Sequence, residues 1–189
     1  MTDSVWVFGY GSLVSPASLS RTIGRFIDDV HSRRVAHLDG FGRKWNYGSP
    51  TQRGHWRLGD AHVRSGVIIC LGVVFSAAES CNGVVVRVND DELAELDWRE
   101  RDYDRVDVND HVRVETGPIE GPVVTYVPRP SAIERYREAR DQGRAAVSQR
   151  YWDLVHGAFA DLGGEHLEHL ATRTPLPDVP VAEVEPADD

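Results

Sequence analysis

The sequence predicts an α+β domain in which a small mixed or barrel-like β-sheet is flanked by helices. Three observations carry this. β-Branched runs recur at 5–10, 67–75 and 83–89, segments with helical apolar spacing lie between and after them, and 189 residues with 41% hydrophobic content suffice for one core. We therefore expect a single domain over residues 1 to 173, followed by a Pro-rich acidic tail over 174 to 189.

The chain opens with "VWVFGY", a run of β-formers that is apolar on both faces and so reads as a central strand. "SPASLSRTIG" follows as a short helix, with Ser15 as N-cap, Pro16 in its first position and Gly24 as stop. "RRVAHLDGFGRKWNYGS" predicts one strand or a glycine-interrupted pair. Residues 49 to 66 mix Gly, Pro, Arg and His without a hydrophobic period, which predicts a long mobile loop and a candidate lid. "VIICLGVVF" and "GVVVRVN" read as two buried strands joined by a turn at "SAAESCN". "NDDELAELDWRER" then reads as a helix capped by Asn89 or Asp90, acidic at its start and basic at its end, as the helix dipole favours. "YDRVDV", "HVRVE" and "VVTYVPR" are further strands. Helices are expected at 131–142 and at 147–162, the second on the spacing of Val147, Tyr151, Leu154, Val155 and Ala158 and stopped by Gly163 and Gly164. The tail "TPLPDVPVAEVEPADD" should be extended or disordered and carry no chemistry.

Bulk properties narrow the function. Thirty acidic residues against 21 basic ones give a net charge of −9, which argues against nucleic acid or an anionic membrane as partner and favours a small molecule. No signal-peptide pattern or membrane-length apolar run is visible, and Cys70 and Cys81 read as buried free thiols, with a disulfide between them as the alternative, so a cytoplasmic location is expected. The histidines at 55, 62, 111, 156, 166 and 169 lack metal-ligand spacing, so no metal is expected.

Two constellations could do chemistry. Gly9 and Gly11 fit the first two places of a dinucleotide fingerprint, but Val14 stands where the third glycine belongs, and it also rules out a nucleophile elbow at Ser12. What remains is a strand end at which the amides of Gly11, Ser12 and Leu13 can converge on a carboxylate or phosphate; a plain strand-to-helix turn is the alternative. The second constellation is Glu100. With Leu93 at zero on a helical wheel, Leu96 falls at about 300° and Glu100 at about 340°, so the glutamate shares the apolar face while Glu95 and Arg99 fall on the solvated side. Burial there would raise its pKa into a range useful for proton transfer. The alternative is an ion pair with Arg87, Arg101 or Arg105. A nucleophilic triad built on Ser12 has no local signature. Trp45, Tyr47 and Trp56 could line a pocket or pack in the core.

Jointly, "VFGYGSL", "LDGFGRKWN", "NGVVVRVNDDELAELDWRERDY" and "TYVP" resemble the γ-glutamylcyclotransferase family over most of residues 4 to 160, most closely the bacterial branch with Gly-Tyr-Gly-Ser-Leu. The resemblance implies a γ-glutamylcyclotransferase-like fold and a metal-independent enzyme without cofactor that closes a γ-glutamyl amide or amine to 5-oxoproline. It also implies a substrate-binding loop at Tyr10, Gly11, Ser12 and Leu13, a catalytic general acid/base at Glu100 in the "LDxxE" block, and a substrate contact from Tyr126. Many members have glycine before the tyrosine where this chain has Arg101-Asp102-Tyr103. A non-catalytic small-molecule binding or interaction domain on the same fold is the competing reading.

Overall fold

The computed structural model describes residues 4–27 and 32–187. Strand β1 (Val5–Gly9) lies between a parallel neighbour, β6 (Val123–Pro128), and an antiparallel one, β3 (Ala61–Val88). That central position explains its two-faced apolarity: Trp6, Val7 and Phe8 are all buried. The sheet order is β4-β6-β1-β3-β2-β5, with β2 spanning Arg33–Leu58, β4 Tyr103–Asp107 and β5 Val112–Val114. β7 (Ala145–Ser148) runs parallel to a second stretch of β3, and β8 (Val181–Ala182) runs parallel to β7. The result is a mixed sheet, flanked among the described residues by five α-helices, as an α+β fold requires.

The helices begin and end where local chemistry dictates. Helix α1 (Pro16–Ile23) is capped by Ser15, whose hydroxyl accepts from the Ser18 amide, and it stops at Gly24 in the left-handed region (φ 74°). Helix α2 (Asp90–Arg99) starts with a full capping box, in which Asn89 and Glu92 exchange side-chain-to-backbone hydrogen bonds. α3 covers Pro130–Asp141. α4 (Gln149–Ala160) begins after its N-cap Ser148, so Val147 belongs to β7 and not to the helix in which its apolar spacing had placed it. α5 (Gly164–Arg173) has no counterpart in the sequence reading: Gly164 opens a helix there as well as following the end of another.

The central hairpin departs most from expectation. β2 and β3 have 26 and 28 residues and turn back at Gly59-Asp60, so residues 49 to 66 are mostly hairpin rather than loop. Their hydrophobic period is lost for two reasons. The pairing slips between Gly48 and Arg53, which bulges Ser49–Gln52 out of the ladder, and the arm beyond Arg57 is exposed on both faces. Likewise "SAAESCN" is a bulge within one strand: Phe75 pairs with Phe41 and Ser80 with Asp39, leaving four β3 residues opposite Gly40 (φ 80°). The tail is extended and paired. β9 (Glu185–Pro186) lies antiparallel to His55 and Gly54, the Ala187 amide donates to the Arg53 carbonyl, and the Tyr136 hydroxyl donates to Asp178. Trp56, Ile68, Cys70, Ala146 and Ala182 form a small second core beneath it. Cys70 and Cys81 are both buried free thiols.

The end of β1 needs glycine on steric grounds. A Cβ on Gly9 would stand 2.7 Å from Leu13 Cβ, and one on Gly83 would stand 2.1 Å from the Gly9 carbonyl oxygen. At Gly83 the added carbon would meet backbone, which cannot swing aside. Gly83→Ala should therefore destabilise the protein by about 1–3 kcal/mol or more. Gly157→Ala, at an exposed helical position with nothing within 4 Å of the added carbon, should instead stabilise by about 0.5–1 kcal/mol. Urea unfolding of the two variants against the parent checks both signs.

Candidate active site

β3 is paired along one edge by β7 at Val67 and Ile68 and by β1 at Val84–Val88, which leaves a gap between them. Leu71 lies in that gap. Its backbone groups are met by side chains: its amide donates to the Tyr151 hydroxyl (3.4 Å) and its carbonyl accepts from the Tyr103 hydroxyl (3.2 Å). The opening that results is a cleft of about 270 Å³ bordered by Ser12, Tyr47, Arg99, Glu100, Tyr103 and Tyr151. It continues into a small recess bordered by all of Tyr10, Gly11, Ser12 and Leu13 together with Glu100 and Tyr126. The expected catalytic and substrate-binding residues, Glu100, Tyr10 to Leu13 and Tyr126, thus border one recess.

The loop side is set by the end of β1. The Tyr10 hydroxyl donates to the Tyr126 carbonyl (2.6 Å), which ties the loop to β6. Gly11 precedes a 3-10 turn, Ser12–Val14, closed by hydrogen bonds from Val14 to the Gly11 carbonyl and from Ser15 to the Ser12 carbonyl. Amides at the start of such a turn have no acceptor within it, so Ser12 and Leu13 can present theirs to a ligand. A Cβ on Gly11 would approach the Tyr151 hydroxyl to 3.1 Å, so glycine keeps that aromatic close to the loop.

The opposite side is set by α2. Leu96 is fully buried and docks the helix, and Glu100 follows as its C-cap with its amide bonded to the Leu96 carbonyl. The Glu100 side chain is 14% exposed, and burial raises its pKa, against the opposing pull of the Arg99 guanidinium. None of Arg87, Arg101 or Arg105 takes it: Arg87 donates to Ser4, Arg101 stacks over Trp98, and Arg105 pairs with Asp97. The partner is Arg99, whose Nε lies 3.0 Å from Oε1. Arg99 was expected on a solvated face, but α1 packs against that face, and its guanidinium runs to Ser12, Ser18 and Thr22.

Around the carboxylate, Tyr10, Tyr103 and Tyr151 have pKa values raised by burial first and by Glu100 among the lesser causes, so they remain neutral hydrogen-bonding groups. The Cys70 thiol, which borders the cleft, is pushed up to about 12 by burial and by Glu100, making it an unreactive wall. The Tyr126 hydroxyl donates to Asp97 (2.8 Å). At the cleft mouth, the Ser49–Gln52 bulge forms the rim, pinned by the Ser49 hydroxyl to the Gln52 amide and by Arg135, which joins the Gly48 carbonyl to Asp102. Tyr47 stacks on Tyr103 at 4.3 Å, whereas Trp45 stacks on Trp152 in the core and Trp56 lies under the tail. The sequence reading missed Arg99, Tyr103 and Tyr151 as site residues. Tyr103 stood in a quoted block and Tyr151 in an apolar stripe, and a hydroxyl within such a stripe was the available signal. Among the described residues no group of His, Cys, Asp or Glu is placed to hold a metal ion, and no helix is long and apolar enough to cross a membrane.

Comparison with known proteins gives one family and one fold. A family model described as ChaC-like protein matches residues 5–147. No curated protein matches the sequence. The solved structure of a γ-glutamyl cyclotransferase is similar over 92% of this chain and 90% of its own, with a TM-score of 0.59 at 18% identity. A Homo sapiens protein, loc79017, is similar over the same shares with a TM-score of 0.56 at 19% identity. YkqA from Bacillus subtilis is similar over 95% of this chain and 56% of its own, with a TM-score of 0.54 at 18% identity, so this chain spans little more than half of it. At these identities the likeness is one of fold.

The raised pKa of Glu100 makes a thermodynamic prediction. A carboxyl that binds its proton more tightly when folded loses stability for the protein as pH rises from the unfolded pKa through the folded one. Glu100→Gln, which mimics the protonated form, should be more stable than the parent at pH 7–8, and the two should converge toward pH 4. Melting temperatures across that range check the convergence.

Proposed function

The chain belongs to the ChaC-like family, and on that premise we propose that it is a γ-glutamylcyclotransferase that closes a γ-glutamyl amide or amine to 5-oxoproline and releases the attached amine. The observation that carries the reading is a buried carboxyl group, Glu100, sharing one recess with the Tyr10 to Leu13 loop. The resemblance of the Gly9–Leu13 motif and the Leu96–Glu100 block, together with the shared fold of a γ-glutamyl cyclotransferase, supports it. The Gly-Tyr-Gly-Ser-Leu motif supports placing the chain in the bacterial branch.

The reaction is intramolecular: the α-amine attacks the γ-carbonyl of the same residue, so the enzyme must hold the glutamyl chain folded and move protons. The amides of the Tyr10–Leu13 loop bind the glutamyl carboxylate and steady the oxyanion that forms on the γ-carbonyl oxygen. Glu100 Oε1 is taken by Arg99, and among the described residues Oε2 has no hydrogen-bond partner, which makes it the proton-transfer atom. It takes one proton from the α-ammonium, which frees the lone pair that forms the new C–N bond, and gives that proton to the departing nitrogen as the old bond breaks, while the second proton shed by the ring nitrogen passes to the released amine, which leaves as an ammonium. Burial matches its pKa to that double role, because a carboxyl held above the ordinary range is both a stronger base and a usable acid near neutrality. Tyr126, on the recess wall, hydrogen-bonds the glutamyl chain with the lone pairs left after its proton goes to Asp97. No step as written draws on a metal, a nucleotide or a covalent enzyme intermediate. Two buried, unbridged thiols suit a reducing compartment such as the cytoplasm.

Mass spectrometry of γ-glutamyl amides and amines incubated with the protein should detect 5-oxoproline. Glu100→Gln should lower turnover by about 10²–10⁴-fold while the fold and the binding of a γ-glutamyl compound persist. Full turnover in the Gln variant would remove Glu100 from its role. Calorimetric binding with no product over long incubation would instead make the protein a binding module.

A further inference from the structure

We propose that Arg99 is the positioning residue of this site, holding the Ser12 hydroxyl as a hydrogen-bond donor and Glu100 as a carboxylate. The inference rests on the cyclotransferase reading for its kinetic consequences, but its structural content stands separately.

The guanidinium is tied to the protein through all three of its nitrogens. Nη1 donates to the Ser18 carbonyl (3.2 Å) and to Thr22 Oγ1 (2.8 Å), Nη2 donates to Ser12 Oγ (2.8 Å) and to Ser18 Oγ (3.2 Å), and Nε faces Glu100 Oε1 (3.0 Å). The four N–H groups of Nη1 and Nη2 thus meet four protein oxygens, and Nε faces the Glu100 carboxylate as an ion pair. The planar fork explains how one side chain fixes three elements at once.

The consequence for Ser12 follows from valence. A serine hydroxyl has one proton, and arginine has no acceptor, so the Arg99 contact uses a lone pair of Oγ and turns the proton away from the guanidinium. Ser12 borders both the cleft and the recess, and no acceptor for its hydroxyl exists among the described residues. Ser12 is thus held as a donor beside the loop amides, where an oxyanion needs donors fixed before it forms.

The consequence for Glu100 is electrostatic. The groups packed around it are Tyr10 after β1, Tyr47 and Cys70 on the long hairpin, Tyr103 on β4, Tyr126 on β6 and Tyr151 on α4, all neutral acids. Nearby Asp97 is engaged by Arg105 and Tyr126, Asp102 by Arg135, and Arg101 lies over Trp98. Arg99 is the cation in contact with the carboxylate, and it opposes the burial that favours protonation.

The test uses the full chain, with γ-glutamyl substrate turnover measured against pH and with the Glu100 carboxyl titrated by carbon-13 NMR, its resonance assigned through Glu100→Gln. Arg99→Met should lower kcat by about 10²-fold with KM within about threefold, move the acid limb of kcat/KM to higher pH, and raise the NMR titration midpoint of Glu100. Ser12→Ala should cost about tenfold or more in the parent but little more in the Arg99→Met background, because the donor it removes is already unfixed. Arg99→Lys, which keeps the charge without the fork, should restore the titration midpoint but not kcat. The proposal is overturned by an unmoved Glu100 midpoint, by a loss confined to KM, or by losses at Ser12 and Arg99 that are fully additive. If the parent forms no 5-oxoproline, the cyclotransferase reading fails by itself, and the NMR midpoint in Arg99→Met still decides whether Arg99 holds the carboxylate.

Discussion

An ionisable carboxyl taken out of water at the end of a helix is the constraint on which the rest of this structure depends. A buried carboxylate is costly unless something charged or polar answers it, and an answer that is too strong would drop its pKa and leave a base too weak to take a proton. Here the answer comes from one guanidinium to one oxygen, with a ring of neutral hydroxyls around the remainder. Burial still outweighs the ion pair. The helix supplies this placement cheaply, because Leu96 anchors it in the core and the residue four positions later falls on the same face as the chain leaves the last turn.

Such a group needs an opening that does not flood it, and the sheet provides one by leaving a stretch of β3 unpaired between β7 and β1. An open ladder edge would be unsatisfied in a dry interior. Tyrosine hydroxyls from β4 and α4 cap the amide and carbonyl of Leu71, so the same side chains that satisfy the backbone also wall the cleft. The bulge at Ser49–Gln52 is part of the same solution. Extra residues on β2 lift the strand out of register there and carry polar side chains to the rim, while the tail pairing at Arg53 and Gly54 keeps the following residues in the sheet.

What could be read from the sequence was whatever depends on a residue and its near neighbours in the chain. Ser15, Pro16 and Gly24 bound α1 by capping and steric preference alone, and the apolar period put Glu100 on its face correctly. Arg99 was misplaced because a helical wheel tells which residues share a face and is silent about what packs on the other one; α1 covers it. The bulges were misread for a related reason. Small polar residues such as those at 76–79 signal a break in regular pairing, but a break can be a turn that ends a strand or a bulge that bends it, and long-range partners decide which. α5 and the paired tail were invisible because their apolar residues find partners across the chain, on β3, β7 and the hairpin arm.

The departure at Arg101-Asp102 can be given physical content on the same terms. Asp102 is the fixed point for Arg135, which also holds the Gly48 carbonyl at the start of the rim bulge, so the residue before Tyr103 braces the rim of the cleft. Arg101 turns outward over Trp98 and donates to its carbonyl, away from Glu100. The recess and the cleft rim are therefore built by different means. The first is held by a buried network among the first strand, α1 and α2, and the second by a surface-accessible brace between β2, α3 and the turn after α2. Changes at the brace can reshape the rim without touching the buried carboxyl, because no hydrogen bond of the Asp102–Arg135–Gly48 array reaches Ser12, Arg99 or Glu100.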